Sequence, residues 1–170
     1  MACTTIADIV KDCENNNGGI YEMLVTDQDN VLTTTVDSNA WEITAITKTI
    51  AFNEIEFKRY VGNYVEDLVS SNENGSQVVT ATITLNLHRR DGAKSKALKI
   101  LAEGNRYLAI VLKDGNGKYW YFPYCQLTAG GEGSGQAKSD GSKYSVTFVA
   151  ENEAYAYEVD STIIAGLLTV

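Results

Sequence analysis

The sequence predicts a mainly β protein: an antiparallel sandwich or barrel with one short flanking helix. Three observations carry that reading. Proline occurs once, at Pro123, while Gly, Asn, Asp and Ser interrupt the chain at short intervals. Between the interruptions lie runs of Val, Ile, Thr, Tyr and Phe, whose branched or flat side chains suit a pleated, half-buried surface. One run also alternates strictly. Over 78–88, Val79, Ala81, Ile83, Leu85 and Leu87 share one face, and Thr80, Thr82, Thr84, Asn86 and His88 share the other. Period-two alternation marks an antiparallel strand with one face on a core.

In chain order, a turn of helix is expected over 5–12 and strands over 20–25, 31–36, 41–49 and 50–57. The polar run 70–76 reads as a loop before the alternating strand. Residues 93–103 change period: Ala97, Leu98 and Leu101 fall on one side at helical spacing, Lys94, Lys96 and Lys99 are left for solvent, and Gly104 follows as a stop. A helix this short is marginal alone, so packing across a sheet must hold it. Strands are expected next over 107–112 and 118–122. Between them Lys113-Asp-Gly-Asn-Gly117 is a hairpin turn, because Gly and Asn accept the positive φ of tight connections. The glycine-rich stretch 129–141 reads as an irregular connection, followed by strands over 144–149 and 154–159. The apolar end Thr162–Val170 is expected to dock on its own fold or on a partner, since an exposed apolar terminus invites aggregation.

The 170 residues, 18.5 kDa, suit one domain, 1–170. A chain of this size buries roughly 68–70% of its unfolded surface and closes a core without metal or disulfide staples. A composition 44% hydrophobic and 21% charged excludes a disordered chain. Twenty-two acids against fourteen bases leave a formal charge of −8. That balance argues against gripping a nucleic-acid backbone or an anionic membrane, both of which need clustered Lys and Arg. No run approaches the roughly 20 apolar residues that span a bilayer. The acids of the first twelve residues do not fit an export signal. Cys3, Cys13 and Cys125 have no paired spacing and read as reduced thiols.

No chemistry assembles from the motifs. Gly130 and Gly135 have the separation of a phosphate loop, but Gln136 stands where Lys is required and Lys138-Ser139 come two positions late. Asp27-Gln-Asp-Asn30 resembles the start of a calcium loop, yet the sixth and twelfth positions hold Leu32 and Ser38 instead of Gly and Glu. Asn74-Gly-Ser76 matches a glycosylation acceptor and reads as a plain turn. The lone histidine, His88, has no nucleophile in a recognised signature, and one His with scattered Cys cannot supply a metal set. Glu54 with Glu56, and Glu151 with Glu153, share strand faces as solvated sheet charges do. No enzymatic activity, metal or cofactor is expected.

Charge is unevenly spread. Arg89, Arg90, Lys94, Lys96 and Lys99 face only Asp91, whereas Glu151, Glu153, Glu158 and Asp160 end the chain without a base. The first thirty residues are also acidic, with Lys11 the one base. A basic patch meeting an acidic patch on the next copy makes a head-to-tail contact, which closes into a ring if the rotation permits. The aromatic run Tyr119–Tyr124 needs cover on both faces of its strand. These features nominate Arg89, Arg90, Lys94, Tyr119, Tyr121, Tyr124, Gly130, Gly131, Gly133 and Gly135 as subunit-interface residues. Segments 1–18 and 161–170 are nominated as interface arms. The alternative from the same residues is a sandwich-type carbohydrate-binding module, with Trp41, Trp120 and tyrosines stacking on sugar rings.

Asp12–Ile20, the strand ending Leu85-Asn-Leu-His-Arg-Arg90, the helix around Ala97-Leu-Lys-Ile-Leu101, the run Ala109–Trp120 and the run Gly135–Phe148 together resemble small tail-tube or tail-ring proteins of tailed bacteriophages. The resemblance is greatest to those of crAss-like and related phages of Bacteroidetes, and it spans most of 10–160. It implies a structural virion protein with a tail-tube type β-sandwich. Copies would form six- or twelve-fold rings stacked into a conduit for DNA, which passes without specific binding. Its other partners would be neighbouring tail proteins, in a tail assembled in the host cytoplasm. A head–tail connector or tail terminator is the nearby alternative. No residue role is carried over from the resemblance.

Overall fold

A computed structural model describes residues 8–9, 13–73, 75–137 and 139–169. Among these are ten strands: β1 (Ile20–Asp27), β2 (Val31–Asp37), β3 (Glu42–Lys48), β4 (Asn53–Ile55), β5 (Gly62–Ser70), β6 (Gln77–His88), β7 (Leu108–Asp114), β8 (Tyr119–Gly133), β9 (Lys143–Asn152) and β10 (Tyr157–Val159). Two helices join them, α1 (Gly92–Ala102) and α2 (Ile164–Leu167). The mainly β expectation holds. The turn of helix expected over 5–12 falls largely outside the described residues.

The strands form one sheet that curls into two layers. One layer runs β2-β3-β10-β8-β7-β1-β4, and the other pairs β5, β6 and β9 with the far half of β8. Strand β8 belongs to both. Its first half pairs with β7 from Lys113↔Tyr119 to Leu108↔Cys125, and its second half pairs with β9 from Gln126↔Val149 to Gly133↔Lys143. The bend falls at Pro123 and Tyr124, where the β7 register shifts and Tyr124 has φ 55°. A proline, lacking an N–H, is tolerated at such a break in the ladder. One pairing departs from the antiparallel expectation: β10 runs parallel to β3, through Glu158↔Glu42 and Val159↔Ile43.

Two apolar clusters flank the first layer. β7 alternates between them, sending Leu108, Ile110 and Leu112 to one and Ala109 and Val111 to the other. The first cluster lies between the layers, where the predicted face of β6 meets Tyr144, Val146, Phe148 and Ala150 of β9. The second joins Leu24, Ile43, Tyr119 and Tyr121 to Phe52, Val159, Ile164 and Leu167. The apolar C-terminal segment therefore docks on its own fold, and α2 is the form it takes.

Three sequence readings need correction. The second layer contains β5, which was not anticipated. The stretch 129–141 is not irregular throughout, since its first part continues β8 to Gly133. The strands expected over 50–57 and 154–159 shorten to Asn53–Ile55 and Tyr157–Val159. By contrast, α1 lies within a residue of its expected start and end. Asp91 caps it by accepting from Lys94 N–H at 2.8 Å, and Gly104, at φ 71°, turns the chain away beyond it.

Candidate subunit interface

Register places the nominated basic and glycine-rich residues at one end of the second layer. His88 pairs with Lys143 across β6–β9, and Lys143 pairs with Gly133 across β9–β8. Arg89, Arg90 and the start of α1 thus follow the same edge as Gly131 and Gly133, and Gly135 lines a shallow hollow there with Asp140 and Lys143. Gly130 lies on the other side, in a groove with Leu98 and Tyr144.

These cations have different duties. Lys94 Nζ donates to the carbonyls of His88, 2.9 Å, and Arg89, 3.0 Å, and pairs with Asp91 at 3.2 Å, so it secures its own chain's corner. The Arg90 guanidinium lies 5.9 Å from the centre of the Tyr144 ring. Arg89 is exposed, and its side chain makes no hydrogen bond, ion pair or ring contact among the described residues. Its backbone sits at φ 59°, held by donation of its N–H to Ser142 O at 2.8 Å and by the Lys94 contact. Such a conformation costs a non-glycine residue roughly 1–2 kcal/mol.

The opposite end of the same layer is acidic. Asp67, Thr80 and Glu151 stand in one row across β5, β6 and β9. About eight strand residues, or roughly 26 Å, separate this row from the Lys143 end. Glu66, the neighbour of Asp67, turns inward and accepts from Ala156 N–H at 2.8 Å. Burial pushes its carboxyl pKa up, partly offset by that hydrogen bond.

Beside Glu151, the bend in β8 opens a cleft of about 640 Å³ lined by Tyr107, Tyr124, Gln126, Thr128, Val149 and Glu151. The two tyrosine rings meet edge to face, with centroids 5.9 Å apart, and are 53% and 54% exposed. The Tyr124 N–H donates to Gln28 Oε1 at 3.1 Å, fixing the left-handed backbone that turns its ring outward. Tyr107 was not nominated from the sequence, and no local signal links it to Glu151, 44 positions later.

The remaining nominated rings lie elsewhere. Tyr119 and Tyr121 are buried in the second cluster, so the chain's own C-terminal segment supplies the cover their strand needed. Burial pushes the Tyr121 hydroxyl pKa up. Trp120 packs against the first cluster and donates to Asp114 Oδ2 at 2.9 Å. Trp41 stacks on Tyr157 with centroids 4.4 Å apart, which covers one of its faces. The calcium-like run at Asp27 is a 3₁₀ turn, with Asp27 paired to Arg106 at 3.1 Å.

Exposed backbone edges complete the surface. Strands β2, β4 and β5 each pair on one side only among the described residues. β2 has no buried residue and carries two register shifts, which twist an edge away from stray pairing.

No protein-family model matches the chain, and no curated protein matches it. Among solved structures it is similar to a chain of the anti-feeding prophage (AFP) baseplate, determined by cryo-EM and 6-fold symmetrised. The two share 9% identity and a TM-score of 0.44, over 84% of this chain and 97% of that chain.

Proposed function

We propose that the chain is a structural subunit of a phage tail, which associates head to tail with copies of itself into rings that stack into a conduit for DNA. The observation that carries this reading is the segregation of charge along the second layer, with Arg89 and Lys143 at one end of β6–β9 and Asp67 and Glu151 at the other. Opposite charges at opposite ends are self-complementary only between different copies, and a repeated head-to-tail contact of that kind closes into a ring where the rotation between copies permits. The sequence resemblance to tail-tube and tail-ring proteins supports the same assembly. The unpaired edges of β2 and β5 fit it too, because contact with neighbours would shield them.

The net charge of −8 per copy suits a wall past which DNA must slide, because like charges summed around a ring repel phosphate. Segments 1–18 and 161–170 would contribute as arms, the second through the exposed side of α2. Within a tail, a tube subunit and a terminator or connector share these demands, and the tube reading follows the resemblance most directly.

Sedimentation velocity at low and high salt tests the proposal. Species many times the 18.5 kDa chain mass are expected at low salt, shifting toward the monomer as salt screens the charged ends. A monomer at both salt concentrations would contradict it.

A further inference from the structure

Resting on that reading, the geometry points to a specific socket: the cleft of Tyr107, Tyr124 and Glu151 receives the guanidinium of Arg89 from a second copy of the chain. The cleft has the chemistry of a cation site. Two half-exposed aromatic rings stand 5.9 Å apart, and the Glu151 carboxylate beside them has no partner among the described residues. A guanidinium against such rings gains from their electron-rich faces, and a carboxylate at the rim neutralises it.

The second copy offers a matching group. Of the two arginines at the basic end, Arg90 already lies over Tyr144, whereas the Arg89 side chain has no hydrogen bond, ion pair or ring contact among the described residues. Its position is also set. The left-handed corner at Arg89 is clamped by Ser142 and Lys94, as the left-handed corner at Tyr124 is clamped by Gln28. Both partners are therefore held in strained backbone that local interactions over-determine, and such strain gathers where a surface must be presented in one way. A socket and its plug at opposite ends of one β layer cannot meet within a chain. They can meet only between copies, and head to tail is the arrangement that continues from one copy to the next.

Exchanging the charges provides the test, with oligomer mass read by native mass spectrometry at low salt and the assembly midpoint by dilution. Arg89→Glu and Glu151→Arg should each raise the midpoint concentration about tenfold or more, and the double exchange should recover most of the loss. Arg89→Gly relieves the positive φ, so it should melt no lower than the parent protein and still assemble as poorly as Arg89→Glu. If the parent assembles and the exchanged pair does no better than the single variants, the socket is refuted while the ring reading stands. If the parent remains monomeric, both fall.

Discussion

The indole of Trp120 donates to Asp114 Oδ2 across 2.9 Å, and the other oxygen of the same carboxylate accepts from the N–H groups of Asn116, 2.8 Å, and Lys118, 2.9 Å. One nearly buried side chain thereby shapes the β7–β8 turn and anchors a core tryptophan. Asp114→Ala should cost about 2–3 kcal/mol, because a charged acceptor is removed and the indole N–H is left unpaired. Urea unfolding followed by tryptophan fluorescence measures it, and an unchanged midpoint would contradict the assignment.

Gly115 in that turn passes beneath the incoming N-terminal segment. A Cβ there would lie 2.5 Å from Asn17 O and 2.6 Å from Gly18 O. Gly115→Ala should force the segment off the turn and break the 2.7 Å bond from Asn17 N–H to Asn116 Oδ1. Faster amide exchange at 16–18, with β6 unaffected, is the expected result.

Helix α1 packs Leu98 and Leu101 on the first cluster and is tied to β9 by Tyr144, whose hydroxyl donates to Asp91 O at 2.9 Å and lies 2.7 Å from Ser95 Oγ. No residue of α1 is fully buried, so packing alone holds it weakly. Tyr144→Phe should cost about 1–2 kcal/mol. Hydrogen exchange should show the loss concentrated in 92–102.

Glu66 makes stability depend on pH. Its folded pKa is raised by burial, so between the ordinary carboxylate range and that raised value the folded state holds more protons than the unfolded state. Stability contributed by the protonated form is then present in acid and lost as pH rises through the folded pKa. Glu66→Gln keeps an oxygen for Ala156 N–H and removes the charge. It should stabilise the protein at pH 7 and have little effect at pH 4, as thermal melts would show.

The thiol of Cys125 is buried in the first core cluster, and desolvation pushes its pKa well up. Cys13 is exposed. A brief alkylation at neutral pH should modify Cys13 and spare Cys125 until the protein is unfolded, with peptide mass mapping as the readout.

The parts of the fold legible in sequence are those that depend on local pattern. The alternation of β6, the 113–117 turn and the Gly104 stop are written in consecutive residues. Strand β5 was not legible, because Glu66 and Asp67 interrupt its apolar pattern and its strand form comes from pairing with β6. The glycines at 130–133 carry little strand preference of their own, and β9 supplies the ladder that extends them. At the candidate interface, the basic run from Arg89 was plain. The meeting of Tyr107, Tyr124 and Glu151 was hidden, because it is created by the bend at Pro123–Tyr124.

Negative-stain electron microscopy of the purified full chain at low salt and high protein concentration tests self-assembly most directly. Closed rings of uniform diameter, some stacked end to end, are the expected result. Fields of single particles of monomer size under those conditions would contradict it.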